Sequence, residues 1–204
     1  MPWVLLGMFI VVAAVIAGGS AMRNDLNERA DANGVVQGDP YAIATAHGIS
    51  VDAEALARLG PSEAGASRAA QIAVMWATVN YAADAGENVA ALLLRGKTKA
   101  GLPSSSSGKF GAQNTGKYAS TRLPSTVQSR ADAVAILAGK IKDPTYGATQ
   151  YDAPAAQDAA AAKGVGGYTK TSAQVAAERS KTSDLVTVPG VTAIRFWRPK
   201  DASA

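Results

Sequence analysis

One carboxylate, Glu63, occupies the position in this chain best suited to acid–base chemistry. It lies in Ser62-Glu63-Ala64-Gly65-Ala66-Ser67-Arg68, which leads into Gln71-Ile72-Ala73-Val74-Met75-Trp76-Ala77-Thr78-Val79-Asn80. The 204 residues include no cysteine and a single histidine, His47, which receives no role. Thiol nucleophiles, Cys-rich zinc sites and histidine clusters for metal or two-step proton relay are therefore excluded. No metal and no cofactor is expected, and carboxylate chemistry is what remains. Asp84, Glu87, Asp132, Asp143, Asp152, Asp158 and Glu178 could supply a second acid, but none sits in a recognisable motif. Glu63 reads as the first turn of a helix that starts after a Gly60-Pro61 break. A helix macrodipole favours an acid there by about 0.3–1 kcal/mol. On residue type alone, a structural role is the better account of it.

The elements that must position this acid read as mostly helical. Ser50 caps a short helix over 52–59, which Gly60-Pro61 ends. Ser62 caps the next, whose apolar positions Ile72, Met75, Trp76, Val79 and Ala83 keep helical spacing. A third helix spans about 88–95. Residues 97–121 lose all periodicity and form a long basic loop carrying Lys97, Lys99, Lys109 and Lys117. Loops of that length in compact domains are functional or disordered. A fourth helix spans about 125–142, Asp143–Gly147 forms a turn, and helices follow over 155–162 and 172–181. Leu185–Val188 and Val191–Trp197, joined at Pro189-Gly190, predict a closing β-hairpin.

Trp3–Met22 carries no charge, and its roughly 20 residues match the length of a helix that spans a bilayer. Residues 1–22 therefore predict a transmembrane anchor, with the lipid bilayer as partner through residues 3–22. A cleaved signal peptide is its rival, because Gly19-Ser20-Ala21 resembles a cleavage site. Residues 23–49, rich in Asn, Gly and Pro, read as a linker, and 50–204 as the folded domain. Hydrophobic content of 48% against 18% charge excludes a disordered chain. A net charge of +4 favours an anionic partner. The basic residues are scattered rather than banked, so nucleic acid is not expected.

The window around Glu63 resembles a known family. Glu63-Ala64-Gly65, then Gln71-Ile72-Ala73-Val74 with Asn80 after it, is similar to bacterial and phage cell-wall hydrolases of the spore-cortex-lytic type, whose fold is lysozyme-like. The similarity runs on in order through Phe110-Gly111-Ala112-Gln113, Tyr118-Ala119-Ser120-Thr121, Ala135-Ile136-Leu137-Ala138-Gly139 and Asp143-Pro144-Thr145-Tyr146-Gly147-Ala148-Thr149, to Tyr151 and Pro154. It covers roughly 53–198. No single motif is specific, but their shared order is. Two positions depart from the family pattern. The opening lacks a residue between Ala and Gly and a second acid soon after, and Gln150 stands where His is frequent.

The resemblance implies an α+β, lysozyme-like domain that cleaves the β-1,4 bond between N-acetylmuramic acid and N-acetylglucosamine in peptidoglycan. Glu63 would be the general acid and base. A general acid must hold its proton near neutral pH, which requires an apolar surround, supplied here by Trp76, Tyr118 or Tyr151. The start of a helix would oppose this. A glycosidase ordinarily uses two carboxylates. With one in view, a lytic transglycosylase is the simpler expectation than a muramidase. Gln113, Tyr118, Ser120, Thr121, Gln150 and Tyr151 are the candidate sugar contacts, since amides and hydroxyls bond acetamido and hydroxyl groups and tyrosines stack on sugar faces. Turn or strand-edge roles account for Ser120, Thr121, Gln150 and Tyr151 about as well. The expected setting is a membrane-anchored enzyme facing the periplasm or wall, used by a bacteriophage in its virion or at host lysis. The alternative is a non-catalytic, membrane-anchored virion or envelope protein that binds glycan.

Overall fold

The computed structural model describes residues 34–94, 123–164 and 169–200. Seven helices and three strands follow one another in these segments: α1 (Pro40–His47), α2 (Val51–Ala64), α3 (Arg68–Asp84), α4 (Val89–Leu94), α5 (Val127–Leu137), β1 (Gln150–Asp152), α6 (Pro154–Lys163), α7 (Ser172–Arg179), β2 (Ser183–Val186) and β3 (Arg195–Pro199).

α2 is the hub. Ser50 caps it, accepting from the Ala53 N–H, and every residue from Ala53 to Gly60 is buried. A helix buried all round must be enclosed on every side, and α1, α3, α4 and α5 pack against it. Small side chains make this possible: Ala53, Ala55 and Ala57 keep the neighbouring axes close, while Leu56 and Leu59 fill the spaces between.

α2 does not stop at Gly60-Pro61 but continues through them to Ala64. Pro61 cannot donate a backbone hydrogen bond, and its ring crowds the residue before it. That residue is glycine, whose missing Cβ removes part of the clash. Gly60 also lies against α3, since a Cβ there would be 2.4 Å from Met75 Cε and 3.3 Å from Gln71 Cβ. Burial of this contact outweighs the local helix-breaking tendency. Ser67, not Ser62, caps α3, by accepting from the Ala70 N–H.

Several expectations are corrected here. The mostly α fold with one β-hairpin becomes an α+β fold whose antiparallel sheet has three strands in the order β1-β3-β2. β2 and β3 do pair, Leu185 opposite Trp197, but β1 adds Tyr151 opposite Phe196 along the other edge of β3. The expected transmembrane helix and the membrane-anchored localisation are overturned. Among the described residues no helix is long and apolar enough to cross a membrane. The longest, α3, has 17 residues and carries Arg68, Asn80 and Asp84, whereas a span takes about 20 mostly apolar residues. Residues 1–22, on which that expectation and the bilayer partner rested, lie outside the described residues.

The linker expected over 23–49 is, from residue 34 onward, part of the domain. Val36 exchanges backbone hydrogen bonds with Ser125 at 2.9 and 3.0 Å. Asp39 caps α1 by accepting from the Tyr41 and Ala42 amides, with Pro40 in the first turn. Ile43 has no solvent exposure.

A buried ionic cluster fastens this segment to α2 and α5. Arg58 Nε bonds Glu54 Oε1 at 2.8 Å with both side chains fully buried, and Arg58 Nη2 donates to the Gly38 carbonyl at 2.7 Å. Ser125 Oγ donates to Glu54 at 2.9 Å and accepts from Arg130 Nη1 at 2.9 Å. Burial pushes the Glu54 carboxyl above its ordinary value, against the hydrogen bond and charge of Arg58, the Ser125 hydroxyl and the charge of Arg130.

Candidate active site

The groups singled out in the sequence are spread along α3, from the end of α2 beside Gln71 to the turn before β1 beside Asn80, roughly 13 Å further along the helix. Glu63 lies half-buried in its last turn. It is therefore at the negative end of a helix dipole, and the support that a helix start would lend a carboxylate does not arise. Gly65 follows at φ 60°, a left-handed conformation open to glycine, and closes the helix through a bond from its N–H to the Pro61 carbonyl. The Gln71 side chain donates to the Gly65 carbonyl, so the first turn of α3 clamps the junction that carries Glu63.

β1 supplies a group that feels the charge of Glu63. Tyr151 is half-buried, with its ring centroid 6.3 Å from that of Phe196. Burial pushes the Tyr151 phenol well above its ordinary value of 10.0, and the negative charge of Glu63 pushes it further the same way. The two groups are thus close enough to act on each other electrostatically.

Alternation along the strand puts Gln150 on the opposite face, with Asp152 and opposite Trp197. Gln150 and Tyr151 do not converge. Gln113, Tyr118, Ser120 and Thr121 lie in 95–122, outside the described residues. Trp76, expected to help enclose Glu63, is half-buried on α3 and packs against the main core.

Asn80 and the turn after α5 form a separate group. Asn80 Nδ2 donates to Asp143 Oδ2 at 2.9 Å, to Thr145 Oγ1 at 3.3 Å and to the Ala148 carbonyl at 3.1 Å. Asp143 also accepts from the Thr145 N–H (2.7 Å), the Thr145 hydroxyl (2.6 Å) and the Gly147 N–H (2.8 Å). Burial alone would raise the Asp143 carboxyl. The bonds from Thr145, Asn80 and Gly147 together outweigh it and hold the group below its ordinary value. This knot fixes the stretch that enters β1 against α3. Two segments read as collinear motifs, 71–80 and 143–149, thus meet in space.

Sequence reasoning passed over Tyr146 within this turn. It adopts φ 51°, left-handed for a residue with a side chain, and is 66% exposed. A bulky residue in that conformation stores strain, and the Asn80–Asp143 knot imposes it. The available signal was Tyr146-Gly147 directly after Asp-Pro-Thr, a turn sequence with an aromatic at its tip. Glu54 was also missed, because a wholly buried acid inside a helical pattern leaves no mark on periodicity.

Four more of the candidate acids are engaged elsewhere. Asp152 accepts from Arg179 Nη1 (2.8 Å), Trp197 Nε1 (2.6 Å) and the Arg195 guanidinium. Asp132 takes a two-pronged bond from Arg68, at 3.0 and 2.7 Å. Asp158 binds the Ser172 amide and hydroxyl, and Glu178 binds Lys170. Among the described residues, no cluster of three or more acids and histidines could hold a metal. Compared with known protein families, curated proteins and solved structures, the chain matches none.

Proposed function

We propose that this protein degrades peptidoglycan, cleaving the β-1,4 bond between N-acetylmuramic acid and N-acetylglucosamine with Glu63 as its acid and base. The reading is supported above all by the charge of Glu63 acting on the Tyr151 phenol, at a junction held by Gln71. These residues come from the motifs through which the sequence resembles cell-wall hydrolases.

The Glu63 carboxyl protonates the bridging oxygen as its bond to C1 of muramic acid breaks. The resulting carboxylate then takes the proton of that sugar's C6 hydroxyl as the hydroxyl oxygen closes on C1. The proton donated in the first step is regained in the second. Transglycosylation is the simpler reading because one carboxylate serves both of its steps, and Asp132, Asp143, Asp152, Asp158 and Glu178 are each bound to another group.

The test uses the full-length protein on purified sacculi. Wild type should clear the suspension and release fragments with anhydro-muramoyl ends, and Glu63→Gln should lose at least about a hundredfold in rate. Free reducing ends would replace transglycosylation by hydrolysis. A wild-type protein that pellets with sacculi without clearing them would make the chain a glycan binder, and the catalytic reading would fail.

A further inference from the structure

The ionic cluster borders a concave surface through Arg130. A cavity of about 610 Å³ is bounded by Val36 and Ile49 on one wall, Val127, Ala131 and Val134 of α5 on the other, and Arg130, Lys140 and His47 among the remaining lining groups. That size is in the range of small-ligand sites, which combine apolar walls with a few fixed polar groups. Two observations set the chemistry of an occupant. First, among the described residues none of those lining it is acidic, whereas Arg130 and Lys140 are cationic. Second, Arg130 is 6% exposed, yet no carboxylate touches it directly among the described residues. Its Nη1 goes to Ser125 and its Nη2 to the Gly34 carbonyl at 3.4 Å, and Glu54 is reached only through the Ser125 hydroxyl. Glu54 acts on Arg130 by charge but is paired directly with Arg58, so these two guanidiniums share one carboxylate, and an anion beside Arg130 would offset the remaining positive charge. Val127 and Val134, 60% and 40% exposed, stand two turns apart on one face of α5.

We propose that this cavity binds an amphipathic carboxylate, with its apolar tail between Val127, Val134, Val36 and Ile49 and its anionic head against Arg130 and Lys140. The site is independent of Glu63. The head group decides affinity through charge, and the tail decides it through buried apolar area.

The probe is sodium decanoate below its micellar concentration, titrated calorimetrically into the full-length protein, with decyltrimethylammonium as a control of equal tail length. Decanoate should bind saturably with one site per chain, and the cationic control should bind at least tenfold more weakly. Lys140→Glu and Val134→Asp alter exposed positions. Each should weaken decanoate by about tenfold or more while circular dichroism remains that of wild type. Glu63→Gln should bind decanoate as wild type does. The proposal is overturned if decanoate does not bind, if both amphiphiles bind equally, or if neither cavity substitution changes the affinity. Absence of binding to the full chain, with binding restored on removing residues 1–33, would assign the cavity to the protein's own N-terminal segment and equally overturn it.

Discussion

Asp143 shows how a single side chain can settle the shape of a site. It gathers bonds from Asn80, Thr145 and Gly147, joining α3 to the turn before β1. Asp143→Ala would leave the Asn80 amide and Thr145 hydroxyl short of an acceptor, at a cost of about 1–3 kcal/mol in urea unfolding. The carboxyl is held below its ordinary value of 3.8 in the folded chain. Its stabilising effect is therefore complete above that value and is lost as pH falls below it through the folded value. The stability gap between wild type and Asp143→Asn should be constant from pH 7 to 5 and shrink below about pH 4. A gap that widened on acidification would contradict the bond pattern. Tyr146 is the complementary case. Its side chain is mostly in solvent and its backbone is strained, so Tyr146→Gly should change the melting free energy by no more than about 1 kcal/mol in either direction. If the exposed ring stacks on sugar, the same variant should bind sacculi more weakly in a pelleting assay.

At the scale of elements, the junction of α2 and α3 carries the lesson about reading sequence. The cap at Ser50 and the existence of α6 and α7 were legible, because local propensity and packing agree there. The buried face of α3 was not: of the five expected apolar positions only Met75 is buried, and Ala70, Ala73, Val74, Ala77, Thr78, Tyr81 and Ala82 complete that face. Gly60-Pro61 was misread as a break, since the same pair that ends an isolated helix also admits Met75 into close contact. The choice between those outcomes is made by α3, which no local window contains. Moving the helix start from Ser62 to Ser67 turned Glu63 from a first-turn acid into a last-turn one and changed the electrostatic argument about it. Asp39-Pro40 was a readable cap and first-turn pair, but it was submerged in a glycine- and asparagine-rich stretch. Gly60→Val should destabilise by about 1–3 kcal/mol, because its branched side chain must displace the buried Met75. Ser67→Ala should cost about 1 kcal/mol through the lost cap of α3. Thermal unfolding of both variants checks this pair. If Gly60→Val proved neutral, the close approach of the two helices would be wrong.

Across the whole molecule, the core is built around α2, and the N-terminal segment from residue 34 belongs to it. Ile43 is fully buried and the Gly38 carbonyl accepts from the buried Arg58. Ile43→Ala should therefore cost about 2–5 kcal/mol, and a chain beginning at residue 50 should melt well below one beginning at 34, or fail to fold. An unchanged melting temperature would return 34–49 to the status of a connector. The sheet end of the molecule is held differently. Asp152 collects Arg179, Arg195 and Trp197 into one polar fastening between β1, α7 and β3. α6, by contrast, contributes no buried residue at all. It is tied at Gln157 to the Lys170 carbonyl and at Asp158 to Ser172. With so little apolar surface shielded, its ten residues can open without disturbing the remainder of the chain. In deuterated buffer, the amides of Ala155–Lys163 should take up label first, while those of Ala53–Gly60 should wait for global unfolding.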